Sequence, residues 1–382
     1  MHQDLPIYSA QADLCKAWRP GARIVLGAPP GAGKSTQVPQ ILLNAGFIPA
    51  GQKLIVLEPR RLATKLVAAR VAQEIGESLG VTVGYQIRFE RVASASTRIL
   101  FVTEGVLVRM MLEDPQLRTV AGIIFDEFHE RHLASDLSLA WAKRLQLLHR
   151  RDLVLLVMSA TLHTEPLMNY LAPAECLEVS GRAFPVSVCY SPVKPNVPIW
   201  EAAAEAWLKN IAQTDSGDCL IFMPSVYAIE RTLQAIRAYP QSRRWASCAL
   251  HAQLSAELQE AALAPQAQRK IIVSTNVAET SVTIDGIRWV IDSGLARIER
   301  YDPRRDISVL LVDKISQASA EQRAGRSGRQ GPGTAIRLWA ERDHPYRAKH
   351  EAPEIARVDL SEMLLAVKAG GIDPQSLEWL DA

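Results

Sequence analysis

Ala28-Pro29-Pro30-Gly31-Ala32-Gly33-Lys34-Ser35 decides the fold of the first half of this chain. The stretch directly follows the apolar run Arg23–Leu26, which reads as a buried strand, and it opens a pattern that reads as a helix. Strand, glycine-rich turn and helix in that order make a phosphate-binding loop. Gly31 and Gly33 let the backbone curl so that successive N–H groups converge on phosphate oxygens, and the helix N-terminus adds partial positive charge. The expected cradle comprises Ala28, Pro29, Pro30, Gly31, Ala32, Gly33, Lys34, Ser35 and Thr36. Lys34 is expected at the β- and γ-phosphates and the Ser35 hydroxyl on Mg2+. Ala28 stands where the strict pattern has glycine, a minor departure.

Outward from the loop, short β-branched runs alternate with helical patterns, the signature of a parallel sheet covered by helices. Leu54–Leu57, Ile99–Val102, Gly122–Phe125 and Leu153–Met158 read as further buried strands, with helices over Arg61–Ser78 and Gly105–Leu112. Ile123-Ile124-Phe125-Asp126-Glu127-Phe128-His129-Glu130 ends one strand in two carboxylates. Asp126 is expected to hold Mg2+ opposite Ser35, with Glu127 at the same site as general base for the attacking water. His129 has no second His or Cys at metal-ligand spacing, so a contact role is expected for it.

The rhythm breaks at Phe184–Ile199, which holds four prolines and reads as a linker, or a linker leading into an edge strand. Strand runs resume at Cys219–Met223, Trp245–Leu250, Lys270–Ser274 and Trp289–Asp292, so the chain is α/β with two units of similar size. Asp292–Val312 reads as a protruding hairpin with Asp302-Pro303 between its arms. From about Glu351 the pattern turns helical, over a length too short to build its own core.

The bulk numbers are consistent with this reading without naming a function. The 382 residues suffice for two or three domains, and 43 Lys plus Arg against 41 Asp plus Glu leave a net charge of +2. A chain making a few phosphate contacts in one channel need not be basic overall. Five cysteines without a C-x-x-C pair argue against a zinc site or a disulfide framework. No apolar stretch approaches the roughly 18 residues a membrane span needs, and Met1–Ala10 lacks a signal-peptide layout, so a cytoplasmic location is expected.

A phosphate-binding loop alone fits a kinase, a transporter ATPase or a switch GTPase. Gln322-Arg323-Ala324-Gly325-Arg326-Ser327-Gly328-Arg329 in the second unit decides among them. Arg326 and Arg329 stand one helical turn apart. Arginines supplied to a γ-phosphate from a neighbouring domain stabilise the charge of phosphoryl transfer. Gln322 is placed to orient the attacking water.

These residues, in this order, resemble superfamily 2 helicases of the DEAH/RHA class, the bacterial HrpB-type group in particular. The resemblance runs from about residue 8 to the end of the chain. It includes Glu58-Pro59-Arg60-Arg61, Gly84-Tyr85-Gln86-Ile87-Arg88-Phe89-Glu90, Thr103-Glu104-Gly105, Ser159-Ala160-Thr161 and Ser274-Thr275-Asn276-Val277-Ala278-Glu279-Thr280-Ser281. It implies two tandem RecA-like domains, 1–182 and 183–348 (with the hairpin at about 294–312), followed by the beginning of a winged helix at 349–382. It implies ATP and Mg2+ as cofactors and single-stranded RNA, or DNA, as partner, gripped by Arg60, Arg61, Thr103, Thr275 and Asn276. His129, Ser159 and Thr161 would couple nucleotide state to domain closure, Asp285 would face the nucleotide, and Arg70 would stack on adenine. The implied activity is 3′-to-5′ translocation driven by ATP hydrolysis; the alternative is an RNA-stimulated ATPase clamp without processive unwinding. Two departures stand out: Phe128 replaces the alanine of the literal DEAH tetrapeptide, and Leu295 occupies a place where eukaryotic relatives carry an aromatic.

Overall fold

The computed structural model describes residues 5–160, 164–181, 184–279 and 284–381. They fold into two compact units, one formed by Met1–Arg182 with Pro353–Ala382 and the other by Ala183–Ala352.

The first unit is built on eight strands: β1 (Arg23–Gly27), β2 (Lys53–Leu57), β3 (Val83–Ile87), β4 (Glu90–Val92), β5 (Ile99–Val102), β6 (Val120–Phe125), β7 (Val154–Ser159) and β8 (Glu175–Glu178). Their order across the sheet is β4-β3-β5-β2-β6-β7-β1-β8, parallel except for β4. The central strands are continuous apolar runs because both of their faces are buried; every residue of β1, β6 and β7 is inaccessible. On one face pack α1 (Gln11–Ala17), α2 (Lys34–Asn44) and α3 (Arg61–Ile75), through side chains such as Leu14, Ile41 and Val71. On the other pack α4 (Glu104–Glu113), α5 (Leu133–Leu148) and α6 (Glu165–Tyr170), through Leu107, Leu145 and Leu167.

The second unit contains β9 (Val186–Tyr190), α7 (Ile199–Asn210), β10 (Asp218–Phe222), α8 (Val226–Arg237), β11 (Trp245–Leu250), α9 (Ala256–Leu263), β12 (Arg269–Ser274) and β13 (Ile287–Asp292). The hairpin strands β14 (Leu295–Asp302) and β15 (Ile307–Lys314) follow, then α10 (Gln317–Gly325) and β16 (Gly333–Arg337). The parallel sheet runs β11-β12-β10-β13-β16-β9. Ser225, Ser255 and Ser316 cap α8, α9 and α10, each hydroxyl accepting a hydrogen bond from a backbone N–H of the first turn. The proline-rich stretch 184–199 supplies β9, an edge strand whose register opposes Val186 to Gly333, and then the first residue of α7. An edge position tolerates proline because one side of the strand has no ladder to complete.

Residues 353–381 return to the first unit. Met363 and Val367 of α11 (Ser361–Ala369), together with Leu377, complete the apolar layer over α4 and α5. Glu354 accepts a hydrogen bond from the Leu133 N–H at 2.9 Å, satisfying an orphan donor at the start of α5. Lys143 pairs with Glu378, and the Tyr170 hydroxyl donates to the Glu378 carbonyl at 2.7 Å. No helix among the described residues is long and apolar enough to cross a membrane.

If this apolar contact holds the terminal segment down, Leu377→Ala should lower the stability of the first unit by about 2–3 kcal/mol through the cavity it leaves. Urea unfolding followed by tryptophan fluorescence measures it. An unchanged midpoint would mean that residues 353–381 do not pack there.

Candidate active site

The first unit gathers its polar residues at the carboxyl edge of the sheet, where ligands bind in open α/β folds. The loop after β1 turns through Gly31 and Gly33, whose φ angles of 82° and 89° lie in the left-handed region that glycine adopts without strain. Gly33 stands immediately before α2. A Cβ on Gly31 would meet nothing within 4 Å, so the turn is open at its outer side. The Ala28 N–H donates to the Ser159 carbonyl at 3.0 Å, tying the loop to the end of β7.

Lys34 begins α2 yet is almost wholly buried, because its ammonium points back over the loop to Glu127, with Nζ 3.2 Å from Oε1. Glu127 follows Asp126 at the end of β6 and has φ 49°, a strained conformation for a residue with a Cβ. Its other oxygen lies 3.4 Å from His129 Nε2, while His129 Nδ1 accepts the Ala160 N–H at 3.3 Å. His129 therefore links the acidic turn to the segment after β7 within the first unit.

Three carboxylates crowd this edge. Burial, then the proximity of Asp126 and Glu127, pushes Glu58 well above the usual carboxylate range. Burial and Glu127 raise Asp126 as well. Burial acts on Glu127 in the same sense, but the adjacent Lys34 and His129 outweigh it and hold that carboxyl low. Asp126 accepts the Glu127 N–H through Oδ1 at 2.8 Å and is hydrogen-bonded by Ser35. The Glu58 and Asp126 carboxyls are hydrogen-bonded to each other, and apart from that contact Asp126 Oδ2 and Glu58 Oε2 are buried without a donor among the described residues. Surplus buried carboxylate oxygen beside a hydroxyl is the donor set of a hard divalent cation. The Ser35 hydroxyl with the Asp126 and Glu127 carboxylates is a donor set that would suit Mg2+.

Sequence alone gives Glu58 no role. It comes to Asp126 because β2 and β6 are neighbours in the sheet; the Asp126 N–H donates to the Leu57 carbonyl at 3.0 Å. Residues 58 and 126 are too far apart in the chain for spacing to signal this.

The remaining candidates divide by surroundings. Arg61 is exposed and Thr103 half-buried. Arg60 is engaged within the unit, its Nη2 3.0 Å from Glu130 Oε2. Arg70 is exposed and pairs with Glu74 at 2.6 Å. Pro29, Pro30, Ala32 and Thr36 complete the loop, with the Ala32 N–H donating to the Pro29 carbonyl at 3.2 Å and Thr36 to the Gly33 carbonyl at 3.4 Å. Ser159 closes β7 and is buried; Thr161 lies outside the described residues, as do Thr280 and Ser281.

In the second unit the three arginines of the cluster have unlike surroundings. Arg323 belongs to the core: fully buried, it pairs with Glu279 and Asp292 at 2.8 Å each and lies over the Phe222 ring. Burial works against that guanidinium, but the two carboxylates outweigh it and raise its pKa. α10 ends at Gly325, and Arg326 opens a 3-10 turn, donating from Nε to the Glu279 carbonyl at 2.9 Å. Arg329 and Gln322 are half-buried. Asp285 is exposed and accepts from Gln330. Thr275 precedes a 3-10 turn at Asn276–Ala278 that leaves Asn276 exposed.

Comparison with known proteins places this arrangement. The DEAD/DEAH box helicase model matches residues 8–169, and the helicase conserved C-terminal domain model matches 202–331. The chain is 41% identical to the ATP-dependent RNA helicase HrpB of Escherichia coli (strain K12) over 99% of its own length and 46% of that protein's. It is 41% identical to the probable ATP-dependent RNA helicase DHX34 of Homo sapiens over 94% of its length and 32% of that relative. The crystal structure of the Escherichia coli DEAH/RHA helicase HrpB superposes with a TM-score of 0.92, covering 99% of this chain and 48% of that one. The chain thus spans about half, or less, of the length of these relatives. Its two sheets are those of two RecA-like helicase domains.

The crowding of carboxylates predicts a trade of stability against function. Without divalent cation, Asp126→Asn should raise stability by about 1 kcal/mol, or melting by about 2–4 °C, by removing one buried negative charge. Thermal melts in EDTA read this, and a lower melting temperature for the variant would refute the electrostatic account.

Proposed function

We propose, from the premise that the chain belongs to the DEAD/DEAH box helicase family, that it hydrolyses ATP to move along single-stranded RNA. The single observation that carries the proposal is the buried Lys34–Glu127 pair beside the buried carboxylate of Asp126. It supplies a phosphate-seeking cation, a base and a cation ligand at one sheet edge. The relatives are described as ATP-dependent RNA helicases, which supports RNA as the strand.

In this reading the backbone N–H groups of the loop around Gly31 and Gly33 receive the β-phosphate of ATP, and Lys34 exchanges Glu127 for phosphate oxygen. Released from Lys34, Glu127 takes the proton of the attacking water, with His129 holding the carboxylate in line. Ser35, Asp126 and Glu127 would hold Mg2+, which would supply charge neutralisation to the phosphates. Arg326 and Arg329 stabilise the charge on the transferring phosphoryl group, and Gln322 orients the water. Arg70 and Asp285 are the proposed contacts to the nucleoside. Arg60, Arg61, Thr103, Thr275 and Asn276 grip the sugar–phosphate backbone, which fixes the strand without reading its sequence. His129, Ser159 and Thr161 couple nucleotide state to domain closure, and the proposed location is the cytoplasm.

ATPase rates with and without matched single-stranded RNA and DNA oligonucleotides test the reading. Turnover should rise with RNA. Glu127→Gln should still bind ATP while losing about 10²–10⁴-fold in turnover. Arg326→Ala should lose turnover by about 10³-fold or more. ATPase activity indifferent to either nucleic acid would overturn the proposal. In a strand-displacement assay, RNA-stimulated turnover without unwinding would leave a clamp in place of a translocase.

A further inference from the structure

Behind the acidic turn, four charged side chains of the first unit form a chain that runs from Arg60, assigned above to the strand, through Glu130 and His132 to Glu104. Arg60 Nη2 lies 3.0 Å from Glu130 Oε2, Glu130 Oε2 lies 3.2 Å from His132 Nε2, and His132 Nδ1 lies 3.1 Å from Glu104 Oε1. The Ser135 hydroxyl donates to the same Glu104 oxygen. Two cations and two anions balance one another, and the Glu130 side chain is only 9% exposed. We infer that His132 is a positioning residue, an imidazolium clasp between Glu104 and Glu130 through which the strand-gripping segments act on the turn that carries Glu127.

The geometry of the imidazole is the first support. Both ring nitrogens face carboxylate oxygens within hydrogen-bond range, so both must donate, which only the doubly protonated ring can do. Burial opposes that charge, but the hydrogen bonds to Glu104 and Glu130 outweigh it and hold the His132 pKa well above the usual histidine range. Burial likewise opposes ionisation of Glu130, and Arg60 with His132 overcomes it, keeping that carboxyl charged. The ring is not spent on helix capping either. His132 precedes α5, but its side chain makes no cap hydrogen bond, and the Leu133 N–H is taken by Glu354.

The second support is what the clasp connects. Glu104 is the first residue of α4 and follows Thr103; Arg60 immediately precedes Arg61 and α3. These are the segments assigned above to the strand, so the inference rests on that reading. Glu130 ends the 3-10 turn Phe128–Glu130, and its N–H donates to the Glu127 carbonyl at 3.0 Å. That turn is bracketed by Glu127 and Arg131, both in left-handed conformations, with φ 49° and 53°. Arg131 is fixed in turn by a two-pronged pair with Asp136, both contacts at 3.0 Å, and by Asp381. A turn strained at both ends and held by ion pairs has few ways to respond when one pair changes. A phosphodiester competing for Arg60 loosens its hold on Glu130. Glu130 then leans on His132, and the turn bearing His129 and Glu127 shifts. Occupancy by a strand and orientation of the base thus become linked.

The experiment measures ATP turnover by the whole chain, with and without saturating single-stranded oligouridine RNA, for the unsubstituted protein, His132→Gln, Glu104→Gln and the double variant. Glutamine at 132 removes the positive charge and cannot donate from opposite sides of a ring. Each single variant should keep its RNA-free rate and its KM for ATP within about twofold, while the RNA stimulation falls about tenfold. The double variant should lose no more than either single one, because both cut the same chain. Glu104→Gln, a one-atom exchange, carries the test if His132→Gln melts early. Undiminished stimulation in both variants overturns the clasp. So does a fall in the RNA-free rate with the stimulation ratio unchanged, which is the mark of a merely structural role. An unsubstituted chain that ignores RNA removes the proposed function and the clasp with it, whereas stimulated variants beside a stimulated parent remove the clasp alone.

Discussion

Lys34 and Glu127 meet where water barely reaches, their side chains 6% and 9% exposed. Much of the first unit can be understood from what that pair requires. A charge in low dielectric is tolerable only with a partner, and removing either member strands the other at a cost of about 3–5 kcal/mol. The loop after β1 must therefore turn tightly enough to aim the lysine inward, which the left-handed glycines allow. The end of β6 must present its second carboxylate rather than its first, which the left-handed backbone at Glu127 achieves at the expense of strain. His129 then occupies the far oxygen of the same carboxylate, so that Glu127 is held from two sides.

The same edge is over-supplied with negative charge. Asp126 and Glu127 share one cationic lysine, while burial and its neighbours hold Glu58 well above the usual carboxylate range, as an acid hydrogen-bonded to Asp126. A fold selected only for stability would replace such groups by apolar ones. Their presence fits the function proposed above, in which a divalent cation and a polyanion would repay the desolvation of the carboxylates. Poor satisfaction here and thorough satisfaction at Arg323, which is held by two carboxylates and a backbone carbonyl, mark the difference between a group kept for chemistry and a group kept for architecture.

The terminal segment extends the argument beyond the site. Residues 353–381 return to the first unit, where they cover an apolar layer and touch the residues just after the acidic turn: Glu354 at Leu133, Asp381 at Arg131. The family resemblance implies the beginning of a winged helix here, and the helical pattern by itself carries no sign of what it packs against. An amphipathic helix advertises that one face is buried without identifying the partner.

What the sequence by itself determined is local. The glycines before Lys34, the apolar runs that become β1, β2, β5, β6, β7, β10, β11, β12 and β13, and the hairpin around Asp302-Pro303 all follow from neighbours a few residues apart. Strands β3, β4, β8 and β16 were less legible because they are short or edge-like and carry mixed polar residues, so no run of apolar side chains announces them. Tertiary structure alone decided which distant residues share a site. Glu58 reaches Asp126 because β2 lies beside β6, and Arg60, Glu104, Glu130 and His132 meet because three loops converge at one sheet edge. It also decided that Arg323 and Arg326 are both buried, the first paired with Glu279 and Asp292 and the second bonded to the Glu279 carbonyl, whereas Arg329 is half-buried, a distinction hidden in a cluster of like residues. The reason is physical: local propensity and hydrophobic period act along the chain, whereas burial, ion pairing and pKa depend on what the order of strands brings side by side.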